Sequence, residues 1–121
     1  MSQLFIIFAG LFGALGVGFA AAAAHGGGGA TLGPASQMLL FHAPALLALG
    51  LYGRASNPGL VLQAGGGAIL LGVALFAGDL VSRHYRDGQS LFLMAAPSGG
   101  TIMILGWALI LIAGVLLVRA D

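Results

Sequence analysis

Four stretches of this chain are almost free of charge, and their apolar positions run continuously instead of in stripes. They cover residues 4–24, 37–52, 60–81 and 100–118, with Asp79 the only formal charge among them. A bilayer core of about 30 Å needs roughly 20 apolar residues of helix to cross it. The second stretch is the shortest, and the small residues before it can add a turn. Within lipid, backbone groups must find partners inside the protein, so only helices and closed barrels can span. A barrel would require short alternating segments, whereas these runs are unbroken and rich in Leu and Ala. The pattern predicts an all-α integral membrane protein. Its fold class is a four-helix antiparallel bundle with short loops, forming a single transmembrane domain over residues 1–121.

The interruptions divide the chain. Residues 26–29 are four consecutive glycines, and Gly33-Pro34 follows; both oppose helix and place the first connection ahead of residue 37. Arg54-Ala55-Ser56-Asn57-Pro58-Gly59 reads as a tight polar turn, so the second and third spans are antiparallel neighbours. Residues 82–99 hold Arg83, His84, Tyr85, Arg86, Asp87 and Gly88, then an apolar run at 91–96. That run is too short to cross and is expected to lie at the interface or pack on the bundle. Pro44, inside the second span, lacks a backbone donor; a kink over residues 40–44 is expected, freeing a carbonyl beside His42. Ala21-Ala22-Ala23 has the form of a signal-peptidase site, but residues 1–3 offer no Lys or Arg for the required basic start. The first span is therefore expected to stay in place.

Composition then narrows the function classes. Of 121 residues, 60% are hydrophobic and only 6% are charged, against about 25% charged in soluble domains. With a mean hydropathy of +1.08, neither a water-soluble domain nor a disordered chain is compatible. The absence of Cys removes disulfides, thiolate chemistry and Cys-ligated metals. A net charge of +1 without a basic cluster predicts no nucleic-acid partner. The chain has no phosphate-cradling loop, no paired carboxylates and no nucleophile–base–acid set, so no enzymatic activity, cofactor or metal is expected. Arg54 and Arg119 on the terminal side balance Arg83 and Arg86 on the other; both termini in the cytoplasm is the default orientation.

Helices in lipid associate by close backbone approach, and small residues recur at the spacing this needs. Gly10, Ala14, Gly18 and Ala22 form a ridge on the first span. Ala64, Ala68 and Gly72, with Ala74 and Gly78, do so on the third, and Gly106 and Gly114 on the fourth. Packing within the bundle is the simplest role; the alternative is sliding or dimerisation. Bulky residues such as Phe5, Phe8, Phe12 and Phe19 then face lipid or fill gaps.

Few residues could carry chemistry. His42, early in the second span, is a site candidate because an ionisable group inside the bilayer is expensive; its structural reading is a bond to a neighbouring carbonyl. His25 closes the first span, where it can cap free carbonyls. Since the first two spans run antiparallel, His25 and His42 are expected near one membrane face. Asp79 lies towards that face too. It is placed for an i,i+4 ion pair with Arg83, or alternatively for a cluster with the two histidines. The candidate intramembrane polar site is therefore His25, His42 and Asp79. Ser98, Gly99 and Gly100 stand at the start of the fourth span and form a candidate helix-start site, for an anion or for close helix approach. Trp107 is a polar anchor set too deep for the interfacial belt, so its indole N–H needs a partner, whereas Tyr52 and Tyr85 suit the interface.

Five short pieces in order resemble one family. They are Ala24-His25-Gly26, His42-Ala43-Pro44-Ala45-Leu46-Leu47, Phe76-Ala77-Gly78-Asp79-Leu80, Pro97-Ser98-Gly99-Gly100 and Gly106-Trp107-Ala108-Leu109. Together they resemble the DUF423 family of small four-helix membrane proteins, related to transmembrane protein 256. The chain departs from the family pattern in the alanines of residues 20–24, and in Met38-Leu39 where Tyr-Gln is frequent. The resemblance implies a four-helix fold in a bacterial inner (plasma) membrane and brings no reaction with it. The expected function is thus a non-enzymatic accessory or structural subunit in the lipid bilayer, in a homo-oligomer or a larger membrane complex. The alternative is a small-molecule, lipid or proton site built from His25, His42 and Asp79.

Overall fold

A computed structural model describes residues 1–120. It contains α1 (Ser2–Gly26), α2 (Leu32–Ala55), α3 (Gly59–Tyr85) and α4 (Ala95–Ala120), with no strand among the described residues. The helices have 24 to 27 residues each, or roughly 36–40 Å at 1.5 Å per residue. All four are long and apolar enough to cross a bilayer. This is an integral membrane protein with the expected four-helix bundle.

α3 runs one turn past residue 81, to Tyr85, and two helix starts differ from expectation for one reason. α2 begins at Leu32 and α4 at Ala95, each about a turn before the sequence reading. Pro34 and Pro97 both sit in the first helical turn, where an amide would lack an intrahelical acceptor in any case, so neither opposes helix. Leu32 N–H donates to Gly28 O at 2.7 Å as α2 opens. Leu91, Phe92, Leu93 and Met94 form an exposed apolar turn, while Ala95 and Ala96 are buried at the start of α4. Ser98, Gly99 and Gly100 therefore lie in the second turn of α4 and not at its start. α2 stays helical through Pro44, whose ring is exposed.

α1 ends on Gly27, left-handed at φ 75°, a conformation that a Cβ penalises. Gly27→Ala is expected to cost about 1–2 kcal/mol, measurable as a lowered unfolding midpoint in detergent. α3 opens where the Gly59 amide donates to Asn57 Oδ1 at 3.1 Å.

The helices close into two antiparallel hairpins, α1–α2 and α3–α4, joined along α2–α3. Glycines set the spacing within each. A Cβ at Gly72 would fall 2.7 Å from Gly99 O, one at Gly106 2.9 Å from Gly65 O, and one at Gly99 2.6 Å from Phe76 N. In the other hairpin, a Cβ at Gly16 would meet Leu40 at 2.6 Å, and one at Gly50 would meet Ser2 O at 2.9 Å. Phe5, Phe12, Leu39, Leu46, Ile69, Val73 and Met103 fill the core.

The α1 ridge is not part of this packing. Gly10, Ala14 and Gly18 are exposed, and a Cβ at Gly10 or Gly18 would have nothing within 4 Å. The buried face of α1 is Phe5, Ala9, Phe12 and Gly16. Gly114 is likewise open, whereas Gly72 and Gly106 do lie between α3 and α4.

Candidate functional site

His42 lies ten residues into α2, roughly 15 Å along the axis, and thus near the middle of a core about 30 Å thick. Its side chain is buried. Nδ1 lies 2.7 Å from Met38 O, one turn back on the same helix. A carbonyl oxygen only accepts, so Nδ1 carries the proton and donates. Nε2 then presents a lone pair, and Trp107 Nε1–H of α4 donates to it at 3.0 Å. The indole can only donate, so both contacts select the same neutral tautomer. The two rings are tilted at 52° with centroids 5.7 Å apart. Trp107, twelve residues into α4, reaches a similar depth because α2 and α4 both start from one membrane face. Each of these two polar groups satisfies the other where no water is at hand. The carbonyl used is that of Met38, not the Leu40 carbonyl that Pro44 leaves without its amide.

Asp79 sits about 9 Å inside the end of α3 and is completely buried. Oδ1 accepts the Leu91 N–H at 2.9 Å. Oδ2 lies 3.1 Å from the Arg83 guanidinium, but off the angle of a hydrogen bond, so that contact is an ion pair alone. Arg83 Nε also donates to Ser90 Oγ at 3.1 Å. Buried Ser82 donates to Gln89 O at 2.9 Å, and Arg86 donates to Ser82 Oγ and Gln89 Oε1. The group fastens the α3–α4 connection onto the last two turns of α3.

These positions correct the expected cluster. His25 is exposed at the end of α1, His42 is bonded to Met38 and Trp107, and Asp79 to Leu91 and Arg83. None of the three bonds to another. For His42 the early start of α2 is the cause, since it carries the imidazole about 15 Å below the face where His25 lies, whereas Asp79 turns to the α3–α4 connection. Gly99 meets Gly72 O and Phe76 N within the α3–α4 interface, Gly100 lies beside Phe76, and the Ser98 amide donates to Met94 O. Sequence reasoning missed His84. Its ring occupies the space a Cβ at Gly28 would take, with Nδ1 3.4 Å from Thr31 Oγ1. The bare run of glycines opposite was the available signal, since such a stretch lets another element approach its backbone.

Four bilayer-length helices in two glycine-spaced hairpins, with an imidazole–indole pair bridging them at mid-depth, define a small polytopic α-helical membrane protein. The chain belongs to the DUF423 family. The model of that family, described as a protein of unknown function, matches residues 12–100, from the middle of α1 into the first turns of α4. No curated protein and no solved structure matches the chain.

Proposed function

We propose that the protein is a non-enzymatic membrane subunit that associates with another transmembrane helix, in a homo-oligomer or a larger membrane complex, through the small-residue face of α1. The observation that carries this reading is the outward ridge of Gly10, Ala14 and Gly18, which the bundle itself leaves uncovered. Lipid gives helices little apolar drive to associate, so surfaces that admit close backbone approach are the ones that pair. The buried polar side chains support a structural role as well. Ser36 donates to Gly33 O, Ser82 to Gln89 O, and His42 and Asp79 bind as described. Each is held by this chain's own helices and loops, Asp79 Oδ2 through its ion pair with Arg83 alone. A bacterial inner (plasma) membrane is the location that accompanies the proposal, following the family resemblance.

Native mass spectrometry and mild crosslinking in native-lipid nanodiscs test it. The wild type is expected to carry a second copy or another membrane protein. The double variant Gly10→Leu/Gly18→Leu is expected to lose that association about tenfold, equivalent to ~1.4 kcal/mol of helix contact, with helicity unchanged. A strictly monomeric wild type without crosslinked neighbours would remove the reading.

A further inference from the structure

The contacts inside the hairpins and those between them differ in kind. Within each hairpin, backbone meets backbone at glycines that have no room for a Cβ. Between the hairpins, α2 and α3 share an apolar seam, Phe5 of α1 seats on Gly66 of α3 and His84 of α3 on Gly28, and the flanks of the seam are otherwise open. On the α1–α3 flank an apolar groove runs between Phe8, Phe12 and Phe19 on one side and Ala74, Gly78 and Val81 on the other. On the α2–α4 flank no Cα of one helix lies within 8 Å of a Cα of the other. Only a long side chain can cross that gap, and Trp107 does so to reach His42 at 3.0 Å. Phe41 and Ile104 beside the pair are 65% and 71% exposed, and Trp107 itself is 44% exposed.

The geometry points to a releasable latch: the Trp107–His42 bond holds the α1–α2 hairpin to α4 in mid-bilayer, and its release lets the hairpins swing about the α2–α3 seam. Interhelical hydrogen bonds in membranes are individually weak, so one such bond biases a closed arrangement without locking it. Among the described residues no charged group contacts the imidazole. α1 carries no titratable side chain before His25 and α4 none before Arg119, while Asp79 on α3 is held by Leu91 and Arg83. Release leaves His42 bonded to Met38 O, so the imidazole keeps its orientation when the indole departs. The latch does not involve the α1 ridge.

The chain has no Cys, so paired labels can be placed without background. Spin labels at Phe41→Cys and Ile104→Cys read the α2–α4 flank, and labels at the exposed positions Leu71→Cys and Ile104→Cys read the separation of α3 and α4 within their hairpin. In lipid nanodiscs, Trp107→Phe and His42→Leu are expected to raise the ratio of long- to short-distance populations for the first pair. The rise is about three- to twentyfold, the range that loss of one membrane hydrogen bond supplies. The second pair should not move. His42→Gln, which retains an acceptor for the indole, should stay close to wild type. An unmoved first pair in Trp107→Phe overturns the latch. So does His42→Gln behaving like His42→Leu, or equal broadening of both pairs.

Discussion

Gly72→Ala is expected to weaken the α3–α4 hairpin by about 1–3 kcal/mol or more, the usual range for overpacking a filled site. The new methyl would lie 2.7 Å from Gly99 O, Met103 N and Met103 Cγ. A methionine side chain can turn aside, but a carbonyl oxygen and an amide nitrogen held in a helix cannot. The whole of α4 must therefore shift outward, and Gly65 would lose its approach to Gly106 as well. Gly72→Leu enlarges the same clash and should prevent the hairpin from closing. On α1, Gly10→Ala and Gly18→Ala place the same methyl in open space. Those changes are expected to be neutral or to gain up to about 1 kcal/mol of helix propensity. Detergent-titrated unfolding followed by circular dichroism makes the comparison. Equal resistance of Gly72→Ala and wild type would mean that α3 and α4 do not meet at these glycines.

The second large effect belongs to Asp79. Asp79→Ala removes the acceptor of the Leu91 amide and the partner of Arg83, and is expected to cost about 2–3 kcal/mol, as for hydrogen bonds to charged groups. A larger figure is not warranted, because the Arg83 side chain is 39% exposed and water and headgroups can resolvate it. Asp79→Asn retains an acceptor for Leu91 and should cost about 1 kcal/mol. The distinguishing readout is hydrogen exchange of the amides in residues 86–94. Exchange should quicken in Asp79→Ala and much less in Asp79→Asn, while the amides of α2 stay protected. Unchanged exchange at Leu91 in Asp79→Ala would show that the carboxylate does not anchor the connection.

The number and character of the helices were legible because lipid demands long apolar runs, and this chain interrupts them with compact polar turns. Helix starts were harder to read. Gly33-Pro34 and Pro97-Ser98-Gly99-Gly100 look like breaks, yet a proline in an opening turn loses no intrahelical bond. That single misreading raised His42 to the membrane face and suggested a meeting with His25 and Asp79. The face of α1 was concealed for a different reason. In water, polar residues mark the outside of a helix, but in lipid both sides are apolar, so Phe5 and Phe12 could be buried while Gly10 and Gly18 look outward. The need of the deep Trp107 indole for a partner was legible, and His42 is the residue that meets it. Pairing the two from sequence required their depths to match, and depth follows from the helix starts.

The close fit of α1 against α2 also bears on how the molecule is made. Gly16, Gly50 and Gly53 meet residues of their own hairpin, and the residues that hairpin needs have all been synthesised once Ala55 has been added, before α3 begins. A nascent chain can therefore deliver its first two helices into the bilayer as a finished antiparallel pair, in keeping with the stepwise folding of chains during synthesis. The remaining half follows as a second such pair, and biogenesis becomes lateral docking in the membrane plane. Phe5, already in position on α1, then meets Gly66 as the last helices arrive.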